Sequence, residues 1–127
     1  MSFNSNKNIG NTALGQAIAY FTSTNYCVSI PLNDTQDYDL VVEMHHKLCK
    51  IQVKGTQQTS RYNVPVVQLQ SIGGRTGKVY KTLIDTKVDY LFVVTKDYVK
   101  YLIPLDVINN RYTLNLNKNF DKYIVNF

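Results

Sequence analysis

Between Asn11 and Ser23 the apolar residues Leu14, Ile18 and Phe21, with Ala13 and Ala17 beside them, recur at helical spacing. That spacing predicts a helix capped by Asn11 and ended by Asn25, a residue that tolerates left-handed backbone. Beyond Asn25 the pattern changes from helical to extended. YCVSI reads as a short strand closed by Pro31, and PLNDTQD as a polar loop. YDLVVEM and KLCKIQVKG then read as two strands around a tight turn at His46–Lys47. NVPVVQLQ is a further strand, which Pro65 places at an edge or a strand start. SIGGRTGKVYK reads as a loop with glycines around Arg75, and DYLFVVT and YVKYLI as a hairpin around Lys96–Asp97. In NFDKYIVNF, Phe120, Tyr123, Ile124 and Phe127 share a helical stripe, so a short docked helix is expected there. A helix followed mainly by hairpins predicts an α/β (α+β) fold, a central mixed β-sheet flanked by helices.

Side chains alternate faces along a strand. Cys49, Ile51 and Val53 therefore share an apolar face, and Lys50, Gln52 and Lys54 a polar one. In the preceding strand Leu40, Val42 and Met44 point one way, and Asp39, Val41 and Glu43 the other. A turn at His46–Lys47 would set Asp39 opposite Lys54 and Val41 opposite Gln52, so that Asp39, Gln52 and Lys54 converge on one patch. A carboxylate and an amide oxygen there are hard ligands suited to Mg²⁺, and a nearby lysine could stabilise charge on a phosphate. A plain cross-strand ion pair between Asp39 and Lys54 would account for the same residues.

At 127 residues the chain is long enough for one domain, residues 1–127, and its 44% hydrophobic and 12% aromatic content fits a globular fold. No apolar run approaches a membrane span, and the polar MSFNSNKNIGN lacks the core of a signal peptide, so a cytoplasmic location is expected. Cys27 and Cys49 match no zinc spacing and read as small buried residues without a disulfide. The net charge of +5 is modest but unevenly placed. No acid occurs between Met44 and Ile84, while Lys47, Lys50, Lys54, Arg61, Arg75, Lys78 and Lys81 make up half of the 14 basic residues. Such a block forms either a polyanion-binding surface or a merely solvated basic face.

AIAYFTSTNYCVSIPLNDTQDYDLVVE, a short turn, KIQVKG, and KVDYLFVVTKDYVKYLIPLDVI downstream together resemble the PD-(D/E)XK nuclease superfamily. More narrowly they resemble its group I intron-associated, homing-type branch, in which QxK stands where most relatives have (D/E)XK. The resemblance runs from about Gly10 to Ile108. It implies a restriction-endonuclease-like core, and Mg²⁺-dependent hydrolysis of double-stranded DNA, with Mn²⁺ able to substitute. It also implies a homo-oligomer, a dimer or tetramer. Carried over by position, Asp39 is the metal-binding carboxylate, Gln52 the second ligand, Lys54 the catalytic lysine, and the Val53 carbonyl completes the metal shell. Many members also place a glutamate near the start of the first helix. This chain has no acid before Asp34, and Asn11 is the expected occupant.

TSRYNVPVVQLQSIGGRTGKVYK is the expected DNA-reading surface. Gln68 and Gln70 share one strand face and could contact adenine, while Arg61, Arg75, Lys78 and Lys81 would hold phosphates or guanine edges. An edge strand with a solvated face is the plainer reading. His45 and His46 fall at the turn and read as solvated, Glu43 lies toward the hairpin end, and Asp34 and Asp37 read as loop carboxylates. The expected function is a site-specific, homing-type endonuclease. Its rivals are a catalytically silent DNA-binding protein on the same fold and a structure-selective nuclease such as a Holliday junction resolvase.

Overall fold

The computed structural model describes residues 6–33, 36–73, 79–82, 86–109 and 112–126, and side chains within them except at 6, 70–73 and 79–82. Helix α1 (Asn6–Ser23) is followed by β1 (Cys27–Ser29), β2 (Leu40–Met44), β3 (Lys47–Gly55), β4 (Val66–Gln68) and β5 (Gln70–Gly73). Then come β6 (Val79–Thr82), β7 (Tyr90–Val94), β8 (Lys100–Pro104), β9 (Thr113–Asn115) and β10 (Ile124–Val125).

Six strands form one sheet in the order β1-β2-β3-β7-β8-β10. Within it β3 and β7 are parallel and the other neighbours antiparallel, which makes it mixed. One face is covered by α1: Ala13, Ala17 and Phe21 are buried against Leu40, Val42, Cys49, Ile51, Phe92 and Val94. The other face carries Leu91, Val93 and Ile103, packed with Val67 and Leu69 and with Leu114 and Leu116 from around the small β4–β9 sheet. These two apolar layers fix β3 at the centre, with odd residues toward α1 and even residues away from it.

Five expectations need correction. The helix begins at Asn6, so Asn11 is an exposed residue inside it and not its cap. Asparagines and Gly10 are poor helix formers, but Ile9 packs closely on Gly55, and that tertiary contact helps hold the first turns. The hairpin turn is His45–His46, both at positive φ (54° and 66°), as a two-residue type I′ turn requires. SIGGRTGKVYK is not all loop: β5 and β6 pair antiparallel, while 74–78 lie outside the described residues. The C-terminal stripe forms a 3-10 turn over Lys118–Tyr123, after which Ile124 and Val125 join the sheet beside β8 instead of continuing a helix. Asn25 does end α1 at positive φ, 66°. Both cysteines are free; Cys49 is buried, but Cys27 is exposed, since it pairs with Glu43 on the sheet face turned away from α1.

Gly55 is where helix and site strand touch. A methyl group there would lie 2.6 Å from Ile9 Cγ2, 2.8 Å from the Ile9 carbonyl oxygen and 3.3 Å from Ala13 Cβ. The carbonyl belongs to helix backbone and cannot swing aside. Gly55→Ala is therefore expected to destabilise the fold by about 1–3 kcal/mol. Urea unfolding should show a lower midpoint at unchanged slope; an unchanged midpoint would mean that the helix start yields freely.

Candidate active site

The β2–β3 register pairs Leu40 with Ile51 and Val41 with Lys50, so Asp39, just before β2, comes to Gln52 and not to Lys54. The shift from the expected register follows from the earlier turn. It amounts to two residues, and a strand repeats every two, so every side chain keeps its face. Asp39, Gln52 and Lys54 still meet, where β2 has ended and β3 runs on.

Asp39 is tied in at three points. Its backbone N–H donates to the Ile51 carbonyl at 2.8 Å. Its Oδ2 accepts from Val53 N at 2.8 Å and from Gln52 Nε2 at 3.1 Å. The carboxylate thus replaces the strand partner that β2 no longer supplies. Among the described residues no group donates to Oδ1. The same bonds orient the other candidates. With Nε2 held by Asp39, the Gln52 amide oxygen remains an acceptor. A strand residue directs its N–H and C=O to the same side. Lys50 N and O both engage Asp89 on the β7 side, so Val53, an odd residue, directs its carbonyl past the start of β2, toward Asp39.

Lys54 is half-buried on the same face as Gln52. Among the described residues its ammonium makes no hydrogen bond or ion pair, so the simple Asp39–Lys54 salt bridge does not form. Burial pushes the Lys54 ammonium below its ordinary pKa, with the Asp39 charge acting the other way. Burial likewise pushes the Asp39 carboxyl above its ordinary value, against the Val53 hydrogen bond and the Lys54 charge. Each group is short of solvation for its charge. A cation at Asp39 and an anion at Lys54 would both supply what burial has removed.

The donor set fits a hard divalent ion: one free carboxylate oxygen, an amide oxygen and a backbone carbonyl, with remaining positions for water and phosphate oxygens. Among the described residues no three His, Cys, Asp or Glu side chains gather as a metal cluster, so the set carries little negative charge. Asn11 adds none, and the helix residues beside Lys54 are Ile9 and Gly10. They line a hollow of about 520 Å³ with Lys54, Gln57, Gln58 and Gln68. A larger hollow, about 650 Å³, lies at the opposite end of β3 beside Cys49 and Asp89. Its Asp89 is already engaged: Oδ2 accepts from Lys50 N at 2.8 Å and Oδ1 lies 3.7 Å from Lys47 Nζ, stitching β3 to β7. The Lys50 ammonium lies 5.5 Å from the centre of the Tyr38 ring.

The residues expected to read DNA do not all lie on one strand face. Arg61 is exposed, stacks at 4.9 Å on Tyr62 and donates to its hydroxyl at 2.9 Å. Gln68 is exposed on β4, whereas Gln70 opens β5 in a different sheet, so the two do not share one strand. The Gln70 and Lys81 side chains, and Arg75 and Lys78 altogether, lie outside the described residues. So does Asp34. His45 and His46 are exposed in the turn, and Glu43 opposes Leu48 away from Gln52. Gln57 and Gln58 escaped the sequence reading; the polar run TQQTS directly after KIQVKG was the signal for them.

Residues 4–122 match the family model described as PD-(D/E)XK endonuclease, and the chain belongs to that family. Its fold is the one found in the structure of a bacterial homing endonuclease, I-Ssp6803I, with a TM-score of 0.78 and 24% identity over 95% of this chain and 89% of that one. No curated protein sequence matches the chain.

Proposed function

We propose that the protein is a Mg²⁺-dependent endonuclease of double-stranded DNA, site-specific in the homing manner and acting as a homo-oligomer. One observation carries this: among the described residues, a half-buried lysine without an acceptor stands next to a carboxylate with a free oxygen, at an open strand end. Asp39, the Gln52 amide oxygen and the Val53 carbonyl would hold the ion. Bound there, the ion would supply Lewis acidity to a phosphate oxygen and a more acidic water. Lys54 would hold the scissile phosphate by a charge-assisted hydrogen bond and stabilise the charge that builds on it. The Gln52–Asp39 bond would keep both oxygens oriented before DNA arrives. The family and the likeness to a homing endonuclease support this reading.

The test is digestion of plasmid and genomic DNA with Mg²⁺, with Mn²⁺ and with EDTA. Discrete fragments are expected with either metal and none in EDTA. Fragments that persist in EDTA would refute the metal dependence. The sparse charge of the donor set favours a second reading, a silent DNA-binding protein. Binding without cleavage would select it, with affinity falling steeply in salt, by a log–log slope of about 0.9 per neutralised phosphate. Preferential cutting of a four-way junction would select a resolvase instead.

A further inference from the structure

Gln58 and Gln68 are both exposed, both line the hollow beside Lys54, and their side chains are joined: Gln68 Nε2 donates to Gln58 Oε1 at 3.1 Å. The segments that bear them are joined at the buried Thr56. Its hydroxyl donates to the Val66 carbonyl at 2.5 Å and accepts from Gln58 N at 3.2 Å, while Val66 N donates to the Gln58 carbonyl at 3.1 Å. The segment leaving β3 is thereby fastened to β4, and the two amides face the hollow from a fixed base.

Joining two amides holds a donor and an acceptor side by side, with the second Gln68 N–H beside them. The shared bond uses a hydrogen of one and the oxygen of the other. A donor remains on Gln58 Nε2 and an acceptor on Gln68 Oε1. Reversing both amides exchanges these roles and still leaves one donor beside one acceptor. In the major groove adenine presents the complement, an N7 acceptor beside an N6 donor. Guanine presents two acceptors, cytosine its N4 donor, and thymine an acceptor beside a methyl group.

We infer that Gln58 and Gln68 act together as a specificity element reading adenine in the major groove next to the scissile phosphate. This rests on the endonuclease reading, because Lys54 sets where that phosphate lies. Neither side chain carries the backbone bonds of the pinned segment, so Gln58→Ala and Gln68→Ala should fold normally, which circular dichroism checks.

A randomised duplex library settles the matter in two arms: cleavage with Mg²⁺ followed by sequencing of the ends, and binding selection in EDTA. The wild-type protein should enrich adenine at one position, adjacent to the cut in the first arm. Each single variant should reduce that enrichment roughly tenfold or more at that position, with the preferences elsewhere retained. The double variant should be no worse than either single one, since each alone breaks the pair. Wild-type selection without that adenine, or variants that keep it, would overturn the inference and leave the endonuclease standing. A wild-type protein that neither cuts nor binds would overturn both.

Discussion

Replacing Lys54 by methionine is expected to slow cleavage at least a hundredfold and, without metal or DNA, to make the protein more stable. The stem of lysine already packs where methionine would lie, so little volume changes. What disappears is a charge that burial disfavours and that has no acceptor among the described residues. Removing one such electrostatic contact to a reacting group costs about 10²–10³ in rate. Relieving the desolvated charge should add about 1 kcal/mol, or roughly 2–8 °C in melting temperature. The sign can be checked by pH. The folded pKa of Lys54 lies below its unfolded value, so its unfavourable contribution is complete below the folded pKa and disappears as pH rises toward the unfolded value near 10.4. The advantage of Lys54→Met should therefore shrink in alkaline solution. Equal melting temperatures at neutral pH would show that Lys54 is better solvated than its position allows.

Asp39 should divide into two roles. Asp39→Ala removes the acceptor of Val53 N–H and Gln52 Nε2, and is expected to destabilise by about 1–3 kcal/mol besides losing cleavage at least a hundredfold. Asp39→Asn returns a carbonyl oxygen to Val53 N–H but no charge, so stability should largely recover while cleavage does not. The folded pKa of Asp39 lies above its unfolded value, so ionised Asp39 is disfavoured by folding. That penalty is complete above the folded pKa and vanishes as pH falls below the unfolded value near 3.9. Wild type should thus gain stability relative to Asp39→Asn on acidification, while its cleavage declines over the same window. Melting curves and initial rates across that range test both halves; recovery of cleavage in Asp39→Asn would remove Asp39 from the metal site.

The strands that bear the site were legible because two local signals agreed. Alternation put Cys49, Ile51 and Val53 on one apolar face, and the polar set opposite survived a register shift because the shift was even. The turn itself was misplaced because histidines at positive φ carry none of the usual Asn-Gly chemistry. The start of α1 was hidden for another reason. Three asparagines and a glycine make NSNKNIG a poor helix interior, and the contact of Ile9 with Gly55 is long-range. The run TQQTS marked Gln58 only as polar; its place beside Gln68 depends on Thr56 reaching Val66 across an intervening turn. The split of NVPVVQLQ between β4 and β5 depends on β9, which only the folded chain brings alongside.

The parallel pairing of β3 with β7 also has a consequence for the order in which the chain assembles. Asp39, Gln52 and Val53 belong to a single hairpin, and hairpins close in about 1–10 μs. The partner on the other side of β3 begins only at Tyr90, after a long intervening segment whose closure carries a larger entropic cost. During synthesis, Asp39 can already be set against Gln52 before Asp89 has left the ribosome. The Asp39–Gln52 geometry would then be an early product of folding, and the closing of β7 on β3, locked by Asp89, the step that shelters it.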